Sequence, residues 1–418
     1  MQTLFTQLNT FLIQTESFWR FEPFHCSADD VEHWQHINSD LDGWLNSLSP
    51  EQIMQLKQQP DDLFYHLSQY IQGLAEMIAS VHDYITPQPV CLSLSVKENT
   101  QESHVLYSGV PGRKIEQIKR LGQKLIRQHQ GESWLEWCAG KGYLGRFLAT
   151  YSDSPVLSFE YQEALCLQGQ AEADQRQLAM MFVQGDAFKP SSQKLFKPCQ
   201  HAVALHACGD LHVRLMQYAA QASVRAMSVA PCCYHLIEAE HYQPLSSLGK
   251  QSSLHLTRQE LRIPVQETVT GGERVKRHRQ QEMSYRLGWD ELLKAELGLM
   301  AYQPTSSIKK SQLSEGFKAF CLWAAEQKGF LLALDKINFD NYEQQGLVRY
   351  WRMEKLSLVQ QGFRRLLEMW LVCDKALFIE EQGYQVSVSE FCSREVTPRN
   401  LLIHAKQVSA VDESGSIK

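Results

Sequence analysis

Four groups of residues in this 418-residue chain could do chemistry. The first is Glu136-Trp137-Cys138-Ala139-Gly140-Lys141-Gly142-Tyr143-Leu144-Gly145, an apolar run with one carboxylate followed by a glycine turn. Glycine lacks Cβ, so the backbone there can take positive φ and let a ligand come close. A helix starting beyond the turn points unpaired N–H groups at whatever lies on it. The second group is His206-Ala207-Cys208-Gly209-Asp210-Leu211, and the third is Pro231-Cys232-Cys233-Tyr234-His235. Both mix groups able to take a proton, attack a carbon or bind a metal. The fourth is Arg274-Val275-Lys276-Arg277-His278-Arg279, a dense cluster of cations.

The glycine turn suits a nucleotide-like cofactor at the carboxyl end of a parallel strand. Gly140-x-Gly142-x-x-Gly145, with Glu160 about twenty residues on, also satisfies the dinucleotide fingerprint. Two features favour S-adenosylmethionine over a nicotinamide. Glu136 sits near the strand end, where a carboxylate can pair with the ammonium of the methionine moiety. Asp186 follows the apolar run Ala179–Val183 and suits the adenine amino group. The expected cofactor shell is therefore Glu136, Cys138, Ala139, Gly140, Gly142, Glu160, Asp186 and His206. Cys138 stands where many such turns carry their first glycine, which tightens the pocket.

The second and third groups should end neighbouring strands beside the reactive methyl. Methyl transfer needs an aligned nucleophile and, where that nucleophile carries a proton, a group to accept it. His206 titrates near neutrality, Asp210 can act as base or orient His206, and Tyr234 can stack on a base or bond a substrate. These three are the expected catalytic residues. His206 and Asp210 equally fit caps of the next helix, and Cys232 and Cys233 fit small buried core residues. Cys208, Cys232, Cys233, His206 and His235 suggest zinc, but adjacent cysteines match the usual ligand separation poorly. No metal is expected.

The elements that would position these groups alternate. Strands are expected at about 134–138, 156–161, 180–185, 201–205 and 226–230, with helices between most of them, the pattern of a doubly wound parallel sheet. Residues 1–105 read as a helical domain, either a cap or a substrate-recognition module, with start signals at Asp29/Asp30, Ser49-Pro50 and Pro60-Asp61. Pro111 to about Gln130 reads as a helix whose basic face (Arg113, Lys114, Lys119, Arg120) is solvated or touches phosphate. The core spans 106–235. Residues 236–380 read as a mostly helical insertion holding a strand-like run at 254–270 and a long helix at about 342–379. A hairpin at 381–407 returns to complete the sheet, and a polar tail runs over 408–418.

In this order the glycine turn, His206–Leu211, Cys232–His235 and Pro398-Arg399-Asn400-Leu401 resemble the methyltransferase-like family that includes the "ribosomal RNA adenine dimethylase domain-containing" proteins. The glutathione-S-transferase-C-terminal-domain-containing proteins are similar more loosely. So is the family that methylates a ribose 2′-hydroxyl of the tRNA acceptor stem. The resemblance covers roughly 110–240 and 384–406. It implies a Rossmann-like α/β class I methyltransferase sheet, S-adenosylmethionine as cofactor, and Glu136, Gly140, Gly142, Glu160 and Asp186 in its site.

The net charge of −6 rules out a globally basic nucleic-acid surface. Arg274, Lys276, Arg277 and Arg279 follow two glycines, so a mobile basic loop overhanging the site and holding RNA phosphates is expected. RNA, as tRNA or rRNA, is the first substrate class. A protein side chain, a small molecule, or an inactive methyltransferase fold used for binding are the alternatives. No apolar run reaches membrane-spanning length. Eleven cysteines without regular spacing fit reduced thiols in the cytoplasm. Oligomeric state is open.

Overall fold

A computed structural model describes residues 1–28, 34, 36–85, 107, 110, 112–266 and 273–408. Asp29/Asp30, Pro111, the end of the 254–270 run and the tail beyond Val408 lie outside them. The chain divides into two compact units: residues 1–14, 76–265 and 365–418, and residues 15–75 and 266–364. The N-terminal helices are thus divided between the two units.

The first unit is built on a seven-stranded sheet: β1 Ser133–Trp137, β2 Val156–Glu160, β3 Met180–Gln184, β4 Gln200–Cys208, β5 Ala226–Cys232, β6 Tyr384–Glu390 and β7 Leu401–Gln407. Their order is β3-β2-β1-β4-β5-β7-β6. The first five run parallel, and β7 pairs antiparallel with both β5 and β6. The hairpin expected from the Tyr384–Phe391 alternation therefore closes this sheet. The five parallel strands end on one edge, and the topology reverses between β1 and β4, where open α/β sheets place their ligands. This is a Rossmann-like α/β sheet with an antiparallel C-terminal hairpin.

Helices at Gly112–Arg127, Tyr143–Tyr151, Glu163–Gln175 and Asp210–Gln221 flank it. The core under the Tyr143–Tyr151 helix joins Leu121, Leu125, Trp134, Phe147 and Val203, all 1% exposed or less. Residues 254–266, the described part of the expected strand-like run, form no strand but hold one isolated bridge (His241–Thr257) and a 3-10 turn at Glu260–Val265, where Pro264 cannot donate to a ladder. Two helices, Pro60–Ser68 and Leu74–Tyr84, follow one another with Gly73 at φ +80° between them.

The long helix runs Phe339–Glu381. In its part that belongs to the first unit, Asp374 is fully buried and accepts from Tyr242 Oη, Leu245 N, Ser246 N and Ser246 Oγ at 2.6–3.0 Å. Beside it, burial pushes the Lys375 ammonium down to about 8, with Asp374 and Asp210 opposing the shift.

The second unit is helical. Helices at Pro50–Gln58 and Pro60–Ser68 start where the sequence signals them, after an unsignalled one at Ser39–Ser47: Ser49 and Gln52 form a reciprocal cap on Pro50–Gln58. Glu273–Leu297, Phe317–Lys328 and the first part of the long helix pack around Trp289, Leu292, Phe320 and Tyr342. Arg349 pairs with Asp290 at 2.7 Å inside this unit. Among the described residues no helix is long and apolar enough to cross a membrane.

Candidate active site

The glycine turn leaves β1 through three left-handed residues at alternate positions: Cys138 (φ +57°), Gly140 (+60°) and Gly142 (+68°). The position that many such turns fill with glycine therefore keeps the glycine conformation although it is cysteine. An added Cβ at Gly140 would meet nothing within 4 Å, so bare backbone faces open space there. At Gly142 it would strike Met180 and Phe182 at 2.5 Å. The turn is pinned from below: Ala139 N donates to Phe159 O at 2.9 Å and Gly142 N to Ala139 O at 2.9 Å.

Glu160 ends β2 and holds the turn. Its carboxylate accepts from Gly140 N at 2.8 Å and Gln162 N at 2.9 Å. Asp186, just past β3, accepts from Phe188 N at 2.9 Å and is half-buried. Two exposed aromatics at these strand ends fall outside the sequence expectation: Tyr161 is 67% exposed and Phe188 50%. The available signal is an aromatic close behind a strand-end carboxylate.

Glu136 is enclosed at the end of β1. Only 4% exposed, its carboxylate accepts from Ser158 Oγ, opposite it on β2, at 2.6 Å, and from the Gly145 amide. Loss of hydration pushes it up to about 7 against those bonds and Arg146. These bonds tie it to β2 and to the start of the following helix. The shared environment also raises the Cys138 thiol, through burial first and the Glu160 charge second, to about 12.

His206 and Asp210 do not pair. His206 (φ +68°) points Nε2 at Gln117 Oε1, 3.1 Å away, and Asp210 accepts from Glu238 N at 2.9 Å. The His206 ring reaches solvent, yet surrounding protein weakens the hydration of its cation. With Lys114 and Arg399 adding positive potential, this pushes it down to about 4. It is neutral at pH 7. Gln117 lies 89 positions away in the chain, and only the fold brings it near.

Tyr234 is corrected outright. It is 2% exposed, its hydroxyl bonds Glu368 Oε1 at 3.3 Å, and Lys375 Nζ lies 5.4 Å over its ring. Burial raises its phenol well above the usual value, and its side chain is turned into the protein. The segment that carries it closes over Gly209 (φ +57°), where a Cβ would sit 1.8 Å from Leu236 O. The sulfurs of Cys208, Cys232 and Cys233 come within 4.8 Å of one another, although their spacing in sequence argues against it.

Arg274, Lys276, Arg277 and Arg279 belong to the second unit. They form not a loop but the first turns of the Glu273–Leu297 helix, with Lys276 bridged to Glu273 at 2.8 Å. The preceding Gly271-Gly272 lies outside the described residues.

Residues 113–240 match a family model described as a methyltransferase domain. No curated protein matches the sequence. Among solved structures, the chain is similar to the tRNA (uracil-54, C5)-methyltransferase of Pyrococcus abyssi in complex with S-adenosyl-L-homocysteine, at 19% identity over 28% of this chain and 28% of that one, TM-score 0.24. It is similar to the fibrillarin of Aeropyrum pernix with natively bound S-adenosyl-L-methionine, at 14% identity over 27% and 52%, TM-score 0.23. It is also similar to a coclaurine N-methyltransferase, at 14% identity over 76% and 91%, TM-score 0.26. The chain thus spans about a quarter and a half of the first two, and none of the three bears on what it acts on. The matched segment resembles a methyltransferase domain, and S-adenosylmethionine is the cofactor expected from the sequence. The open backbone at Gly140 and the carboxylates ending β2 and β3 fit that molecule.

Proposed function

We propose that the whole chain is an S-adenosylmethionine-dependent RNA methyltransferase acting on tRNA or rRNA in the cytoplasm. The observation that carries the substrate class is the helix start at Glu273. Arg274, Arg277 and Arg279 are exposed there beside Lys276. Cations in a first helical turn oppose the helix dipole, each at a cost of about 0.3–1 kcal/mol. A polyanion bound there would reverse that penalty. The likeness of His206–Leu211 and Cys232–His235 to the family containing ribosomal RNA adenine dimethylase domain-containing proteins and to the acceptor-stem methyltransferases supports the same class.

In this reading Cys138, Ala139, Gly140 and Gly142 hold the methionine end, Glu160 the ribose hydroxyls, and Asp186 with the faces of Tyr161 and Phe188 the adenine. When bound, the cofactor supplies an electrophilic methyl carbon. His206, neutral at pH 7, accepts the proton released by the target group. Asp210 positions the segment after Cys233 through the Glu238 amide. Glu136 keeps the turn in place.

The test is RNA affinity across a salt series. Replacing Arg274, Lys276, Arg277 and Arg279 with glutamine should weaken tRNA and rRNA binding. The log–log salt slope should flatten by roughly one unit for each phosphate no longer neutralised. S-adenosylmethionine binding should be unchanged. Coincident slopes would remove RNA phosphates from this helix and favour a protein or small-molecule substrate.

A further inference from the structure

Three thiols converge at the carboxyl ends of β4 and β5, and the backbone is irregular at each place where regular strands would keep them apart. Consecutive residues of a strand point to opposite faces. Cys232 and Cys233 converge because the chain leaves β5 in a left-handed conformation at Cys233 (φ +42°). On β4 the register against β5 shifts between Leu205 and Cys208, with His206 left-handed, and this re-aims Cys208 opposite Cys232. Non-glycine residues adopt such backbone rarely, and two of the five in the described chain serve this cluster.

The sulfurs of Cys208 and Cys232 lie 3.2 Å apart, and all three lie within 4.8 Å of one another. A disulfide needs about 2.05 Å. A tetrahedral zinc with sulfur at about 2.3 Å sets its ligands about 3.8 Å apart. Two residues beyond Cys233, the Nδ1 of His235 is buried and has no hydrogen-bond partner. Three thiolates and one imidazole around a divalent cation leave one negative charge. Arg399 lies within electrostatic range of Cys233, and Arg262 of His235.

We propose that Cys208, Cys232 and Cys233, whose sulfurs are already gathered, bind one zinc ion that clamps the ends of β4 and β5 together, with His235, which stands outside that group, turning its unpartnered Nδ1 in as the fourth ligand. Sulfur donors select zinc over the hard cations magnesium and calcium. Four protein ligands close the coordination sphere, so the ion holds structure and takes no part in methyl transfer. The clamp fixes the segment that carries His206 and the one that covers Gly209. The proposal does not depend on the substrate being RNA.

The experiment uses the full chain purified under reducing conditions, with elemental analysis followed by removal of metal and titration with Co²⁺. The expected result is one zinc per chain. Stoichiometric cobalt uptake should give a sulfur-to-cobalt charge-transfer band with the intensity of three thiolates. Cys208→Ser and Cys233→Ser should lose that intensity. His235→Ala should release metal at chelator concentrations the wild type resists, and Cys199→Ser should behave as wild type. Should a variant fail to fold by circular dichroism, the wild-type spectrum decides alone, since a band from fewer than three thiolates overturns the site. Absence of metal uptake, equal uptake by folded Cys233→Ser, or a Cys208–Cys232 disulfide in freshly purified protein also overturns it.

Discussion

At the scale of single residues, the same carboxylate and imidazole types serve very different ends. Glu160, proposed to hold the cofactor's ribose, is also part of the turn's own framework, since it holds Gly140 N. Glu160→Ala should weaken S-adenosylmethionine by ~1–3 kcal/mol, the usual loss for hydrogen bonds to a charged group. Calorimetric titration reads it, and an unchanged affinity would leave Glu160 as a brace only. His206 and Tyr234 make a sharper contrast. His206→Ala should bind cofactor as wild type and lose roughly two to four orders of magnitude in turnover, the range for a lost proton acceptor. Tyr234→Phe removes one buried hydrogen bond and should keep turnover within a few-fold while costing about 1 kcal/mol of stability. The reverse outcome in parallel turnover and denaturation measurements would exchange their roles. Sequence places both residues at the right strand ends. It cannot say that Tyr234 turns inward, because its partner Glu368 lies 134 positions away. Nor can it show Ser158 opposite Glu136, which in sequence is a lone carboxylate in an apolar strand.

At the scale of elements, the motif around Gly209 has a steric reason. The chain between Cys233 and Glu238 crosses it so closely that Asp210 N donates to Leu236 O at 3.1 Å. Gly209→Ala would force a Cβ into that carbonyl and strain a left-handed residue. It should cost at least about 3 kcal/mol, read as a lower midpoint in urea unfolding. A midpoint equal to wild type would mean the segment moves aside freely. Strands are the most legible elements, since each carries an apolar run ended by glycine, proline or charge. The C-terminal hairpin is legible from its alternation despite the long helix before it. The basic run reads as a loop because Gly271-Gly272 precedes it and cations are unusual at a helix start. Helical propensity of the following residues prevails over both signals.

At the scale of the whole molecule, the sheet is crossed by a chain of neutral polar groups. Ser154 Oγ meets His129 Nε2 at 3.2 Å, His129 Nδ1 meets His201 Nδ1 at 3.4 Å, and Ser228 Oγ joins His201 Nε2 at 2.9 Å to His404 Nδ1 at 2.8 Å. Burial pushes His404 down to about 4, helped by Lys124 and Lys406, and pushes His201 well down. The native state therefore binds fewer protons than the unfolded chain, whose histidines titrate near 6.5. This contribution is complete above about pH 6.5 and is lost as pH falls toward 4. For His404, which is 7% exposed, it amounts to about 3 kcal/mol. Melting temperature should fall steadily from pH 7 to 5, and less steeply in His404→Gln. A flat profile over that range would contradict it. The central claim, however, joins the cofactor turn to an RNA acceptor, and one measurement addresses both. Wild-type chain is incubated with methyl-labelled S-adenosylmethionine and, separately, RNA, protein and small-molecule fractions of a strain lacking it. The account predicts label in tRNA or rRNA, strongly reduced with His206→Ala and with the four-glutamine variant. Label confined to protein or metabolites, or none in any fraction, would contradict it.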